Sequence, residues 1–168
     1  MNRGRRLEAV VPAYVLEHDS PAALFTRLQR VVIFLEFLQR EAVRDYDITF
    51  ADFVLLATLR KEPEPHELLV GRIAEYVLRP TGSITHAVNR VEQRGLVRRR
   101  QGENDGREVV VSLTPTGRQF ADEALASYDA IRERMFGRLS GDELDMIDRS
   151  VMLLLTALEA DYRENVGA

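Results

Sequence analysis

Residues 79–117 read RPTGSITHAVNRVEQRGLVRRRQGENDGREVVVSLTPTG, and this stretch constrains the chain more than any other. Ile84, Ala87, Val88 and Val91 recur at helical spacing and mark one buried face. Gly95 follows as a C′ residue, where a left-handed backbone ends a helix. Leu96 and Val97 open an extended run into Arg98, Arg99 and Arg100. Gly102 to Gly106 form a turn, and Val109, Val110, Val111 and Leu113 a β-branched return strand. A helix, a β-hairpin and a new helix start thus follow one another directly. An isolated hairpin is only marginally stable, so this one must lean on the helices around it.

The face opposite the buried stripe carries Gly82, His86, Asn89, Arg90 and Gln93, flanked by Ser83 and Thr85. Asn and Gln suit adenine, Arg suits guanine, and Thr offers a methyl to thymine. Glu92 is the helix's one carboxylate, whereas an ordinary solvated face mixes Glu and Lys freely. Local charge agrees. The chain is formally −4, but residues 79–107 hold seven arginines against three acids, +4, leaving −8 elsewhere. Phosphate responds to local positive charge, not to the total. Lys61 is the sole lysine, so arginine is this chain's default base, which weakens the inference from any single arginine. Arg107 beside the hairpin tip suits a narrow minor groove. The alternative there is a solvated turn in which Arg107 pairs with Asp105.

These residues resemble the MarR (multiple antibiotic resistance regulator) family of winged helix-turn-helix transcription regulators. The resemblance is carried by Gly82-Ser83-Ile84-Thr85-His86 with Arg90, then Glu92-Gln93-Arg94-Gly95-Leu96-Val97 with Arg99 or Arg100. Asp105-Gly106-Arg107 and Leu113-Thr114-Pro115-Thr116-Gly117 continue it. It is strong over about 65–118, extends in element order over 20–165, and is absent before residue 20. Val91 stands where the family usually has Leu, and Gly106 replaces one of two usual basic residues of the wing. The resemblance implies Ser83, Thr85, His86, Asn89 and Arg90 in the major groove and Arg107 in the minor groove, with Asp105 orienting the wing arginine. It also implies a homodimer on double-stranded DNA, with a small phenolic or acidic effector between the dimer helices and the DNA-binding lobe. Phe37, Tyr46 and Phe53 are the aromatics that could line such a cleft; aromatics at this spacing are more often plain core.

The remaining sequence supplies helices. Ser20-Pro21 starts one with a heptad-like stripe of Leu24, Leu28, Val31, Leu35, Leu38 and Ala42, and Phe25, Val32, Phe34 and Phe37 add apolar surface outside it. Thr49 with Asp52 starts another, broken by Pro63 and Pro65. Leu69–Leu78 predicts a short helix around Ile73, Ala74 and Val77. Thr114-Pro115 opens a helix carrying Phe120, Ala124, Tyr128, Ile131 and Met135, which Gly137 ends. Ser140-x-x-Glu143 is a capping box before Leu144, Ile147, Val151, Leu154 and Leu158. The first and last helices are too apolar for a monomer of this size unless it has an unusually thick core. A second subunit is the other solution.

The expected architecture is therefore mainly α with a small β-hairpin wing. An arm spans 1–19 and a single unit 20–168. The winged helix-turn-helix occupies about 49–113, and dimerisation helices about 20–45 and 114–165. The expected function is a cytoplasmic, ligand-responsive repressor on a palindromic operator. The competing class is a winged-helix protein-interaction module without sequence-specific DNA binding, which would want an apolar or acidic outward face over 82–93. His18, His66 and His86 are not at metal-ligand spacing, no Gly loop for phosphate is present, and there is no cysteine. Neither an enzyme nor a cofactor or metal is expected. No apolar run approaches the ~18 residues of a membrane span.

Overall fold

A computed structural model of the chain describes residues 20–77, 81–102 and 108–165. The first helix, α1 (Pro21–Val43), starts where Ser20 Oγ accepts the Ala23 N–H and Pro21 fills the first turn. The second, α2 (Phe50–Lys61), starts with a closed capping box. Asp52 accepts the Thr49 N–H at 2.9 Å, and Thr49 Oγ1 accepts the Asp52 N–H at 3.2 Å. Then come β1 (Glu67–Leu69), α3 (Val70–Tyr76), α4 (Thr81–Gln93), β2 (Val97–Gln101) and β3 (Val109–Leu113). Two long helices, α5 (Pro115–Phe136) and α6 (Gly141–Asn165), close the chain.

The helix starts expected at Ser20, Thr49, Thr114 and Ser140 coincide with these elements. Gly95 has φ +71°, and the Leu96 N–H returns to the Val91 carbonyl at 3.0 Å, so α4 ends in the left-handed turn that glycine favours. One element departs from expectation. Residues 67–69 form a strand, and the short helix begins only at Val70. The sheet is therefore three-stranded and antiparallel, in the order β1-β3-β2. Leu68 faces Val111 on one side of the central strand, and Arg99 faces it on the other.

The core explains why the helix, hairpin and helix stay together. Leu55, Leu56, Leu59, Ile73, Val88, Val91 and Val111 are the largest fully buried side chains. They join α2, α3, α4 and the sheet into one apolar cluster that also includes Ala121 of α5. At about 1.5–3 kcal/mol for each large apolar side chain buried, this cluster holds α4 on its support. A second, smaller cluster of Val43, Phe53, Ala57 and Ala124 ties α1, α2 and α5 together.

The α4–β2 turn is welded to α5. Thr114 donates to the Leu96 carbonyl through its N–H at 3.0 Å, and its hydroxyl reaches the Gly95 carbonyl at 2.7 Å. That hydroxyl also accepts the Gly117 N–H at 2.9 Å. Gly117 lies so close that a Cβ there would sit 1.8 Å from the Leu96 carbonyl oxygen. The terminal helices contrast with this packing. No residue of α6 is buried, and Leu153 is 74% exposed. Phe25, Val32, Ile33, Phe34 and Phe37 of α1 are exposed as well.

Candidate nucleic-acid interface

The periodicity of α4 sorts its side chains as the sequence predicts. Ile84, Ala87, Val88 and Val91 are buried, whereas Ser83, Thr85, His86, Asn89, Arg90 and Gln93 are exposed. Glu92, the one acid of this helix, is half-buried beside Arg99 of β2. Its carboxylate lies 3.1 Å from Arg99 Nε, whose N–H is not aimed at an oxygen, so the two form an ion pair without that hydrogen bond. The exposed groups on α4 thus present donors, acceptors and positive charge, with the negative charge turned toward the sheet.

Several of these groups are already engaged. Arg90 Nε lies 3.0 and 3.2 Å from the two carboxylate oxygens of Asp52, and Nη2 lies 2.7 Å from Oδ1. These hydrogen bonds raise the Arg90 pKa above the ordinary arginine value; partial burial opposes them and the Asp52 charge adds to them. Arg99 Nη2 donates to Asn89 Oδ1, so the acceptor of that side-chain amide is engaged while its NH2 group keeps two donors. Ser83 and His86 are exposed on the first two turns.

The arginine cluster expected to supply phosphate charge also holds the fold. Arg98 Nε donates to Ser112 Oγ at 3.0 Å, and Arg100 Nη2 lies 2.6 Å from Glu67 Oε1. Arg94 donates to the carbonyls of Tyr46 and Asp47 and stacks 5.4 Å over the Phe120 ring. It thereby pins the end of α4 to the loop before α2. Asp105 and Arg107, expected at the wing tip, lie outside the described residues.

The expected effector aromatics separate. Phe53 is buried, in contact with Phe50 and Tyr128. Tyr46 packs edge-on against Phe120, and its hydroxyl donates to the Glu123 carbonyl at 3.0 Å. Phe37 lies on the open surface of α1. A cleft of about 730 Å³ does lie where α1 meets the winged lobe. Its lining combines apolar side chains such as Val43, Ile48 and Phe50 with Arg40, Arg44, Arg90, Arg94, Asp47 and Asp52. Neither this cleft nor the Asp52–Arg90 pair has a signature in the sequence; the Thr49-x-x-Asp52 spacing points only to a helix start.

Comparisons with known proteins agree with this geometry. The sequence model of the MarR family matches residues 46–108, from the loop before α2 to the residue before β3. The chain is 28% identical over 144 residues to the HTH-type transcriptional repressor MdtR of Bacillus subtilis, covering 86% of each. AbsC, a MarR family transcriptional regulator from Streptomyces coelicolor, superposes with a TM-score of 0.76 at 20% identity, over 85% of this chain and 97% of AbsC. MepR of S. aureus, in a complex with DNA, superposes with a TM-score of 0.72 at 17% identity, over 83% of this chain and 99% of that one. Among the described residues, no helix is long and apolar enough to cross a membrane. The family match lies on the lobe that carries α4 and the fold is shared over most of the chain, so residues 46–108 are similar to the MarR family of winged-helix transcription regulators and the whole shares their fold.

Proposed function

We propose that the protein is a cytoplasmic homodimeric repressor that binds a palindromic DNA operator through α4 and is released by a small acidic effector. One observation carries the DNA reading: α4 exposes Ser83, Thr85, His86, Asn89 and Arg90 while Ile84, Ala87, Val88 and Val91 hold its other side in the core. A helix so supported presents a rigid polar surface to the major groove. Ser83, Thr85, His86 and the Asn89 amide face base edges, and Arg90 contributes its outer edge. Arg107, steadied by Asp105, enters the minor groove. The exposed apolar surfaces of α1 and α6 support a two-fold dimer, which sets two copies of α4 about one helical turn apart, ~34 Å. The work is recognition, and no catalytic role is assigned. The names of MdtR, a repressor, and of the MepR–DNA complex support the same reading.

The effector reading rests on the cleft lined by Arg40, Arg44, Arg90 and Arg94, where an acid would compete with Glu36, Asp45 and Asp52 for the first three of these arginines. An acid bound there would sit against both α1 and α4. The test of the whole proposal is a salt titration of binding to duplex DNA. The logarithm of the affinity for random duplex should fall linearly with log salt, with a slope of about 0.9 per phosphate contact, and a selected operator should bind far more tightly than random sequence. If the protein binds neither duplex at low salt, the proposal gives way to an interaction module that has lost DNA.

A further inference from the structure

The start of α2 and the outward surface of α4 meet at one buried carboxylate. Asp52 is 2% exposed. Its Oδ1 accepts Arg90 Nε at 3.0 Å and Nη2 at 2.7 Å. Its Oδ2 accepts the Thr49 N–H at 2.9 Å, the Thr49 hydroxyl at 2.8 Å and Arg90 Nε at 3.2 Å. Both oxygens are thus fully engaged, and Arg90 Nη2 also reaches Thr49 Oγ1 at 3.4 Å. The Arg90 side chain nevertheless remains 45% exposed. Among the described residues no hydrogen-bond acceptor meets its Nη1.

Two consequences follow from chemistry. A free arginine must freeze several rotors when it binds, whereas this one has lost that freedom before any ligand arrives. The pair is also close to neutral, so Arg90 offers a directed N–H with little long-range attraction. Attraction without direction strengthens binding to every sequence, and specificity is a difference between affinities.

We propose that Asp52 is a positioning residue for DNA recognition: it locks Arg90 against α2 so that Nη1 meets its target at a fixed place, and it cancels charge that would otherwise favour any duplex. The proposal rests on the reading of α4 as the DNA-binding helix. It explains why a carboxylate suits this site. An asparagine would still cap Thr49 with its one oxygen, but its NH2 group would face the donors of Arg90.

The experiment compares full-length wild type with Asp52→Asn and Arg90→Lys. The probes are an operator selected from a random pool by the wild type and a random duplex of equal length. Asp52→Asn should bind the operator about tenfold more weakly, the scale of a lost charge-assisted hydrogen bond. It should bind random duplex more tightly at low salt, with a salt slope steeper by about 1 per subunit in contact. Arg90→Lys keeps the charge and loses the fork, so operator affinity should fall while the random-duplex slope stays. A purely structural role for Asp52 would weaken both duplexes by one factor and leave the slope alone; that result overturns the proposal. If circular dichroism shows Asp52→Asn unfolded, Arg90→Lys decides, and an unchanged ratio of operator to random affinity rejects the idea. Failure of the wild type to bind any duplex would instead bring down the DNA reading, and this proposal with it.

Discussion

Replacing Leu158 by Glu puts the dimer proposal at risk with little ambiguity. Leu158 is 56% exposed on α6, and no residue of that helix is buried within its own chain. In a monomer the change is therefore a surface substitution, worth within about 0.5 kcal/mol. In a two-fold dimer built on α1 and α6 it is counted twice. Burying the exposed half of one leucine contributes about 1 kcal/mol, so the lost apolar term is about 2 kcal/mol per dimer. Two carboxylates forced into that seam add several kcal/mol each unless they find partners. The sum exceeds about 5 kcal/mol, which raises the dimer dissociation constant by more than about a thousandfold. Light scattering across a dilution series, with circular dichroism to confirm folding, reads this directly. Operator binding should collapse in parallel, because a single α4 gains no effective concentration for the second half-site. A folded Leu158→Glu chain that dimerises like wild type, or that binds the whole palindrome as tightly while monomeric, would refute the reasoning.

Other outcomes are expected from single sites. Gly117→Ala drives a methyl group to 1.8 Å from the Leu96 oxygen, so the junction must open and its Thr114 hydrogen bonds suffer. Urea unfolding should show a loss of about 3 kcal/mol, and a loss under about 1 would mean the junction yields freely. Arg107→Ala should weaken operator and random DNA alike and make the salt slope shallower by about 1, whereas unchanged low-salt affinity would remove the wing from the interface. The Ser140 N–H and hydroxyl hold the Glu143 carboxyl below its ordinary value. The stability this adds is present above the ordinary carboxylate range and lost as pH falls through the lowered value, so Glu143→Gln should flatten that part of the acid unfolding curve. With no cysteine, mild peroxide should not release DNA in a way that a thiol reductant reverses. Such a reversal in an electrophoretic shift assay would count against a thiol-free mechanism.

Local signals were legible in the sequence because they are local. The period of Ile84, Ala87, Val88 and Val91, the glycine at 95, and the caps at Ser20, Thr49 and Ser140 each depend on a few neighbouring residues. Strand β1 was not legible. Three residues carry no alternation, and Glu67–Leu69 is a strand only because β3 lies beside it. The arginine partners were hidden for a related reason. Asp52 and Arg90 are 38 residues apart, and Arg94 is held by backbone carbonyls, which leave no residue type to recognise. Patterning therefore identified the surface of α4, but not which of its groups remain uncommitted.

The bond between Leu96 and the start of α5 makes the molecule a lever without slack. The carbonyl that ends the turn after α4 receives Thr114, and the same threonine launches α5 with Gly117 flush against the turn. A tilt of α5 would therefore carry the Gly95–Leu96 turn with it. Two such levers joined at their long arms would change the span between their short arms whenever the hinge angle changes. A ligand wedged in the cleft at the C-terminal end of α1 need displace nothing on α4 itself. Spreading the arms by a small angle would already mismatch their spacing to a rigid duplex.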